Sequence, residues 1–240
     1  MVSILFLSSL ITYLCNEKTE SMKIVVVNGS PRRTKNTATL LEKAIEGARE
    51  KGAEIERINL YEHDFNGCKS CFSCKLAGLG NNRICVIKDD AKPLLEKCLQ
   101  ADALLFGTPI YYDNITGVMR SFLERLWYPI DSNKFTEDRK PIRYIDRTIP
   151  VGFIYTMNCP EDWRENLYGY LFRSMQNRMT DFFGHYEAVY SCDTYQFDDY
   201  SKYYSNMFNA EKKAEHREKQ LPIDLENAYQ LGKNLATFGK

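Results

Sequence analysis

Apolar runs and helix-spaced stripes alternate along this chain, and that alternation restricts its fold more than any other feature. "KIVVVNGS" (23–30) is a continuous apolar run ending in a turn signal, as strands buried on both faces of a parallel sheet are. Leu40, Leu41, Ala44, Ile45 and Ala48 then share one helical face, closed by Gly52. "AEIERINL" (53–60) alternates apolar and polar, the pattern of a strand near a sheet edge. Asp89 and Asp90 can cap a second helix, with Pro93 in its first turn and Leu94, Leu95, Cys98 and Leu99 inward. "ADALLFGTP" (101–109) predicts a third strand, and Val118, Met119, Phe122, Leu123, Leu126 and Trp127 one side of the helix after it. "PVGFIYTMN" (150–158) is a fourth strand, followed by a helix over 163–183 with Leu167, Leu171, Met175, Met179 and Phe182 as its stripe. "YEAVYSCDT" (186–194) is a fifth, and the last helix is expected at about 223–238. Five strand–helix pairs imply a doubly wound, five-stranded parallel sheet covered by helices on both faces, a three-layer α/β sandwich in one domain over 22–240.

Two segments stand outside this pattern. Residues 2–14 are apolar but short for a bilayer span, with no basic segment before them and no small-residue cleavage site after. Met22 precedes the first strand directly, so residues 1–21 read as an extension and no membrane span is expected. Residues 195–222 read as an insertion, with a Tyr-rich start able to cover a site and a charged end in solvent. Lys+Arg and Asp+Glu are both 32, which argues against nucleic-acid binding. Eight cysteines in 240 residues, three of them crowded on one loop, fit a reducing compartment, so a cytoplasmic protein is expected.

"NGSPRRTKNT" (28–37) joins the first strand to the first helix, where ligands bind in open α/β sheets. Amides at a helix N-terminus favour an anion, and Ser30, Thr34, Thr37, Asn36, Arg32, Arg33 and Lys35 add hydroxyls, an amide and positive charge. The composition suits a phosphate monoester; the plain alternative is a capped, solvated turn. The loop matches neither G-x-x-x-x-G-K-[ST] nor G-x-G-x-x-G, which weighs against P-loop and Rossmann-type dinucleotide binding. "GTPIYYDNITGVMRSFLERL" (107–126) follows the third strand. Tyr111 and Tyr112 are adjacent flat side chains, and Asn114 and Thr116 can cap the next helix. First and third strands flank the switch point of a sheet ordered 2-1-3-4-5, so phosphate at one loop and a flat ring at the other would fit one mononucleotide.

On these two motifs the chain resembles the NADPH-dependent FMN reductase and iron–sulfur flavoprotein family, of flavodoxin-like fold, over 22 to about 194. The resemblance implies bound FMN. It assigns Ser30, Arg32, Asn36 and Thr37 to the phosphate, and Thr108, Pro109, Ile110, Tyr111, Tyr112 and Asn114 to the loop lining the isoalloxazine ring. Thr156, Met157 and Asn158 lie where the family completes the site. It further implies NAD(P)H as transient reductant, with quinones, flavins or other small molecules as acceptors. No side-chain acid, base or nucleophile is needed, so none is named as catalytic. A homodimer or homotetramer is implied, with "MRSFLERLWYP" (119–129) as interface helix. Arg139, Lys140, Arg143 and Arg147 are either contacts for a nicotinamide 2′-phosphate or a solvated basic loop.

Cys68, Cys71, Cys74 and Cys85 give the spacing C-x2-C-x2-C-x10-C on a loop at 66–90. Three readings are open. Compact C-x2-C-x2-C runs hold 4Fe–4S clusters, and Gly78 and Gly80 loosen the gap before Cys85. A cluster would make the chain an electron carrier for a redox protein such as ferredoxin. Zinc sites usually pair two short knuckles, and Cys85 has no near partner. The third reading is reduced thiols that shape a loop. Cys15, Cys98, Cys159 and Cys192 are expected as small core residues.

Overall fold

Val25 and Val27 belong to one face of the first strand and Ile24 and Val26 to the other, all at 3 % exposure or less. A strand covered on both faces is what an unbroken apolar run demands. The structure is a computed structural model that describes residues 21–79, 83–204 and 207–239. The readings placed on 1–20, Cys15 among them, and on Gly80 lie outside the described residues.

In chain order the elements are β1 (Lys23–Asn28), α1 (Asn36–Glu50), β2 (Glu54–Asn59), α2 (Ala91–Gln100), β3 (Ala103–Tyr111), β4 (Asn114–Ile115), α3 (Gly117–Ile130), β5 (Asp131–Phe135), β6 (Pro141–Arg143), β7 (Val151–Thr156), α4 (Glu161–Phe183), β8 (Tyr186–Ser191) and α5 (Ala210–Thr237). The sheet runs β2-β1-β3-β7-β8 with every pair parallel, the expected 2-1-3-4-5 order. α1 and α5 cover the face carrying Ile24 and Val26; α2, α3 and α4 cover the other. β2 is an edge strand, as its alternation predicts. On the second face Phe106, Phe153, Tyr155 and Tyr190 stack across three strands at centroid separations of 5.5, 4.4 and 5.5 Å. The Tyr155 and Tyr186 hydroxyls meet at 3.1 Å.

α1 and α5 approach backbone to backbone. A Cβ on Gly232 would run into the Ala44 carbonyl, and one on Gly47 into the Tyr229 carbonyl.

Three expectations are corrected. The last helix starts at Ala210, not near 223, so the charged end of the supposed insertion is helical. Pro222 sits inside that helix, and Glu218, whose carbonyl Pro222 cannot bond, is exposed to water. Of the two expected caps on α2 only Asp89 serves, its carboxylate accepting from the Ala91 and Lys92 amides; the Asp90 carboxylate accepts from the Asp64 amide instead. The inward stripe of α4 uses Phe172 and Phe183, while Leu167 is exposed. In the basic loop, Arg139 and Lys140 are exposed, while Arg143 donates to the helix-end carbonyl of Phe182 (3.0 Å) and Arg147 to Leu99 (2.8 Å) and Ala101 (2.6 Å). Among the described residues no helix is long and apolar enough to cross a membrane.

Candidate functional site

The carboxyl ends of β1, β3, β7 and β8 converge on a cleft of about 110 Å³. After β1 the chain is held by its own side chains. Asn28 Oδ1 accepts from the Ser30 amide (2.9 Å), and Ser30 Oγ accepts from the Arg32 amide (3.2 Å). No side chain caps the N-terminus of α1. Its first amides are therefore not satisfied by a cap, which is the condition for anion binding at a helix end. Gly29 N donates to Gly107 O (2.8 Å) and Thr116 Oγ1 to Gly29 O (2.8 Å), so the loops after β1 and β3 are tied together.

The cleft is lined by Ser30, Arg32, Lys35, Asn36 and Thr37 after β1, and by Pro109, Ile110 and Tyr111 at the end of β3. Thr156, Met157 and Asn158 after β7 and Thr194, Tyr195 and Gln196 after β8 complete it. Thr37 Oγ1 and Thr156 Oγ1 share a buried hydrogen bond of 2.7 Å across the site. Three residues that the family resemblance assigns lie outside this lining. Thr108 is buried beneath it, with its hydroxyl donated to the Pro109 carbonyl (3.0 Å). Asn114 holds the Ile115 amide (2.9 Å), and Tyr112 stands fully in solvent.

Tyr112 and Asp113 form the turn of a β3–β4 hairpin in which Tyr111 faces Asn114. Their φ angles are 46° and 65°. Both central residues are left-handed, the signature of a type I′ turn, but the glycine that usually permits it is missing. The sequence pattern therefore hid the hairpin.

Thr194, Tyr195 and Gln196 are the lining residues that sequence reasoning did not name, although the Tyr-rich start of 195–222 signalled a cover. Gln196 O accepts from Arg32 Nη1 (2.8 Å), and Tyr195 O from Asn36 Nδ2 (2.8 Å). Asp198 pairs with Lys35 (2.6 Å), which holds its carboxyl below the usual range.

Cys68, Cys71, Cys74 and Cys85 all line one second, small pocket together with Arg125 and Tyr128. Cys85 Sγ accepts from Arg125 Nε (3.3 Å) and Cys68 Sγ from the Ser70 amide (3.4 Å). The backbone amide and hydroxyl of Ser73 pull the Cys71 thiol down, while burial pushes Cys74 up. The thiols thus share a pocket, but among the described residues no three ligand groups stand in metal-holding geometry. Cys98 and Cys192 are buried and Cys159 half-buried, with thiols pushed up by burial.

The apolar stripe of the supposed interface helix packs inside the chain: Met119, Phe122, Leu123, Leu126 and Trp127 are all buried. A groove of about 500 Å³ remains between α3 and α4, sharing no lining residue with the cleft.

The profile of the NADPH-dependent FMN reductase family matches residues 22–149. Over 104 residues the chain is 38% identical to an iron–sulfur flavoprotein of Archaeoglobus fulgidus, covering 43% of this chain and 48% of the relative. It is 33% identical over 104 residues to an iron–sulfur flavoprotein of Methanocaldococcus jannaschii, covering 43% and 51%. The chain spans about half the length of these curated relatives. Among solved structures, the NAD(P)H:quinone oxidoreductase from Methanothermobacter marburgensis superposes with a TM-score of 0.62 at 19% identity, over 90% of this chain and 99% of that one. An azoreductase from Bacillus anthracis superposes with a TM-score of 0.62 at 15% identity, over 89% and 99%. At these identities the structures share a fold with this chain.

Proposed function

This chain belongs to the NADPH-dependent FMN reductase family, and from that premise we propose that it binds FMN at the cleft and reduces a small acceptor, such as a quinone or a flavin, with electrons from NAD(P)H. The observation that carries the reading is the convergence of the uncapped α1 N-terminus, Arg32, Ser30 and the Thr37–Thr156 pair at the switch point of the sheet. Bound FMN supplies hydride acceptance and one- or two-electron delivery. Arg32 and the α1 amides neutralise and orient its phosphate, and Thr37 and Thr156 offer hydroxyls beside it. The cleft of about 110 Å³ is smaller than a mononucleotide site needs, on the order of 300 Å³ or more. The ring half accordingly lies toward the hairpin, where Tyr111 and Tyr112 present flat faces. No side chain of this site has to move a proton. Trp163, Leu167 and Tyr170, exposed on α4 at helical spacing, support a homo-oligomer, dimer or tetramer.

A second reading adds a 4Fe–4S cluster and makes the chain an electron carrier for a redox protein such as ferredoxin. It is favoured by the four thiols that line one pocket. Anaerobic purification followed by a visible spectrum and iron, sulfide and zinc analysis tests both readings. A flavin spectrum, native or after reconstitution, is expected; colourless protein that takes up no FMN defeats the first reading. Absence of iron and sulfide defeats the second.

Tyr112 offers a sharper check. An aromatic residue held at positive φ and fully exposed costs stability, on the order of 1 kcal/mol, and such strain is retained where a ligand needs it. Replacing Tyr112→Asn with Asp113→Gly installs the preferred turn pair. The double variant is expected to gain roughly 1 kcal/mol in urea unfolding and to bind FMN up to about tenfold more weakly. Unchanged FMN affinity removes the ring-facing role.

A further inference from the structure

Lys213 is buried at 3 % exposure, one turn into α5, in a segment whose composition reads as solvated. Its ammonium donates to Asn158 Oδ1 (2.6 Å), Thr194 O (3.3 Å) and Asp193 O (3.4 Å), and it pairs with the Asp193 carboxylate. The Phe208 ring lies 4.7 Å from it. A buried ammonium is costly unless oxygens replace its water, and here four do. Those oxygens come from two different connections. Asn158 follows β7; Asp193 and Thr194 follow β8.

Both connections line the cleft, one through Asn158 and the other through Thr194. Asn158 Nδ2 also donates to Gln196 Oε1 (3.0 Å). Gln196 and Tyr195 in turn hold Arg32 and Asn36 through their carbonyls. One ammonium therefore ties the β7 wall, the β8 wall and, through Gln196, the groups assigned to the phosphate. Lys213 itself does not line the cleft. We propose that Lys213 is a positioning residue for the FMN site, setting the wall formed by Asn158 and Thr194 and, through Gln196, the placement of Arg32. The inference rests on the FMN reading above.

The test compares Lys213→Met and Lys213→Arg with Asp224→Asn. Asp224 is as buried, on the same helix, and its carboxylate partners Ser191 and Gln220, which do not line the cleft. Flavin fluorescence titrations give the Kd for FMN, visible circular dichroism reports the seating of bound flavin, and urea midpoints report stability. Lys213→Met is expected to weaken FMN binding about tenfold or more, with an altered flavin dichroism. Asp224→Asn is expected to lose stability while keeping wild-type Kd and dichroism, and Lys213→Arg to recover part of both. If Lys213→Met does not fold, Lys213→Arg carries the test, with a raised Kd at a near-wild-type urea midpoint. Wild-type FMN affinity in folded Lys213→Met, or in Lys213→Arg where Lys213→Met does not fold, overturns this inference alone, as does a loss of affinity in Asp224→Asn equal to that in Lys213→Met. A wild-type protein that binds no FMN overturns the flavin reading and this inference with it.

Discussion

Arg125→Met lowers the free energy of unfolding by about 3–5 kcal/mol, the effect of leaving a partly buried carboxylate without its cation. The Arg125 side chain is wholly buried, and Asp89 is 21 % exposed. The guanidinium holds Asp89 through both oxygens at 2.5 and 2.8 Å, and reaches the carbonyls of Asn66 (3.1 Å) and Ile87 (3.4 Å). With the bond to Cys85 it pins the start and the end of the cysteine loop to α3. Methionine keeps the length and loses every donor. Urea unfolding of the variant checks the magnitude; a loss under about 1 kcal/mol, the range of exposed pairs, counts against the clamp. The same pair carries a pH dependence. Its hydrogen bond to Arg125, and then the charge itself, hold the Asp89 carboxyl below the usual value of 3.8. The stabilisation is complete above 3.8 and is lost as pH falls through the depressed folded value, so acid unfolding of Arg125→Met shows a weaker dependence in that range.

Gly232→Ala is the second large effect, at about 2–3 kcal/mol. The added methyl meets the Ala44 carbonyl, a backbone group that cannot rotate away, so α1 and α5 must separate. Both helices cover the same sheet face, and Leu40, Leu41, Leu231 and Leu235 would lose contact together. Gly117→Ala is the control, since its Cβ meets nothing within 4 Å. Thermal unfolding that shifts equally in the two variants counts against the close helix approach.

The sheet was readable because its rules are local. A strand buried on both faces needs an unbroken apolar run, as in Val25–Val27 and Ala103–Phe106, and the helices between them repeat at 3.6 residues. The loop after β1 drew notice for a similar reason, and Ser30, Arg32, Asn36 and Thr37 do come together in one cleft at the switch point. What escaped depended on partners distant in sequence. Arg125 reads as a surface charge until Asp89 and the ends of the cysteine loop are brought beside it. Lys213 reads as solvent-facing for the same reason, because Asp193 and Asn158 reach it only through the fold. Pro222 reads as the end of an insertion, and it sits inside α5 because Glu218, whose carbonyl it cannot bond, is exposed to water. The Tyr112–Asp113 turn lacks glycine, so no turn signal announces it.

The stacked rings across β3, β7 and β8 set a limit at the alkaline end. Burial pushes the phenols of Tyr155, Tyr186 and Tyr190 above their ordinary value of 10.0, the first two far above it. Folding therefore keeps these hydroxyls protonated, and their contribution is complete below 10.0 and declines as pH rises toward the folded values. Beyond that point a phenolate must either sit among rings that cannot solvate it or leave the core. The slab that carries much of the apolar mass of the second face is thus also what makes strong base, as well as heat, a denaturant for this protein.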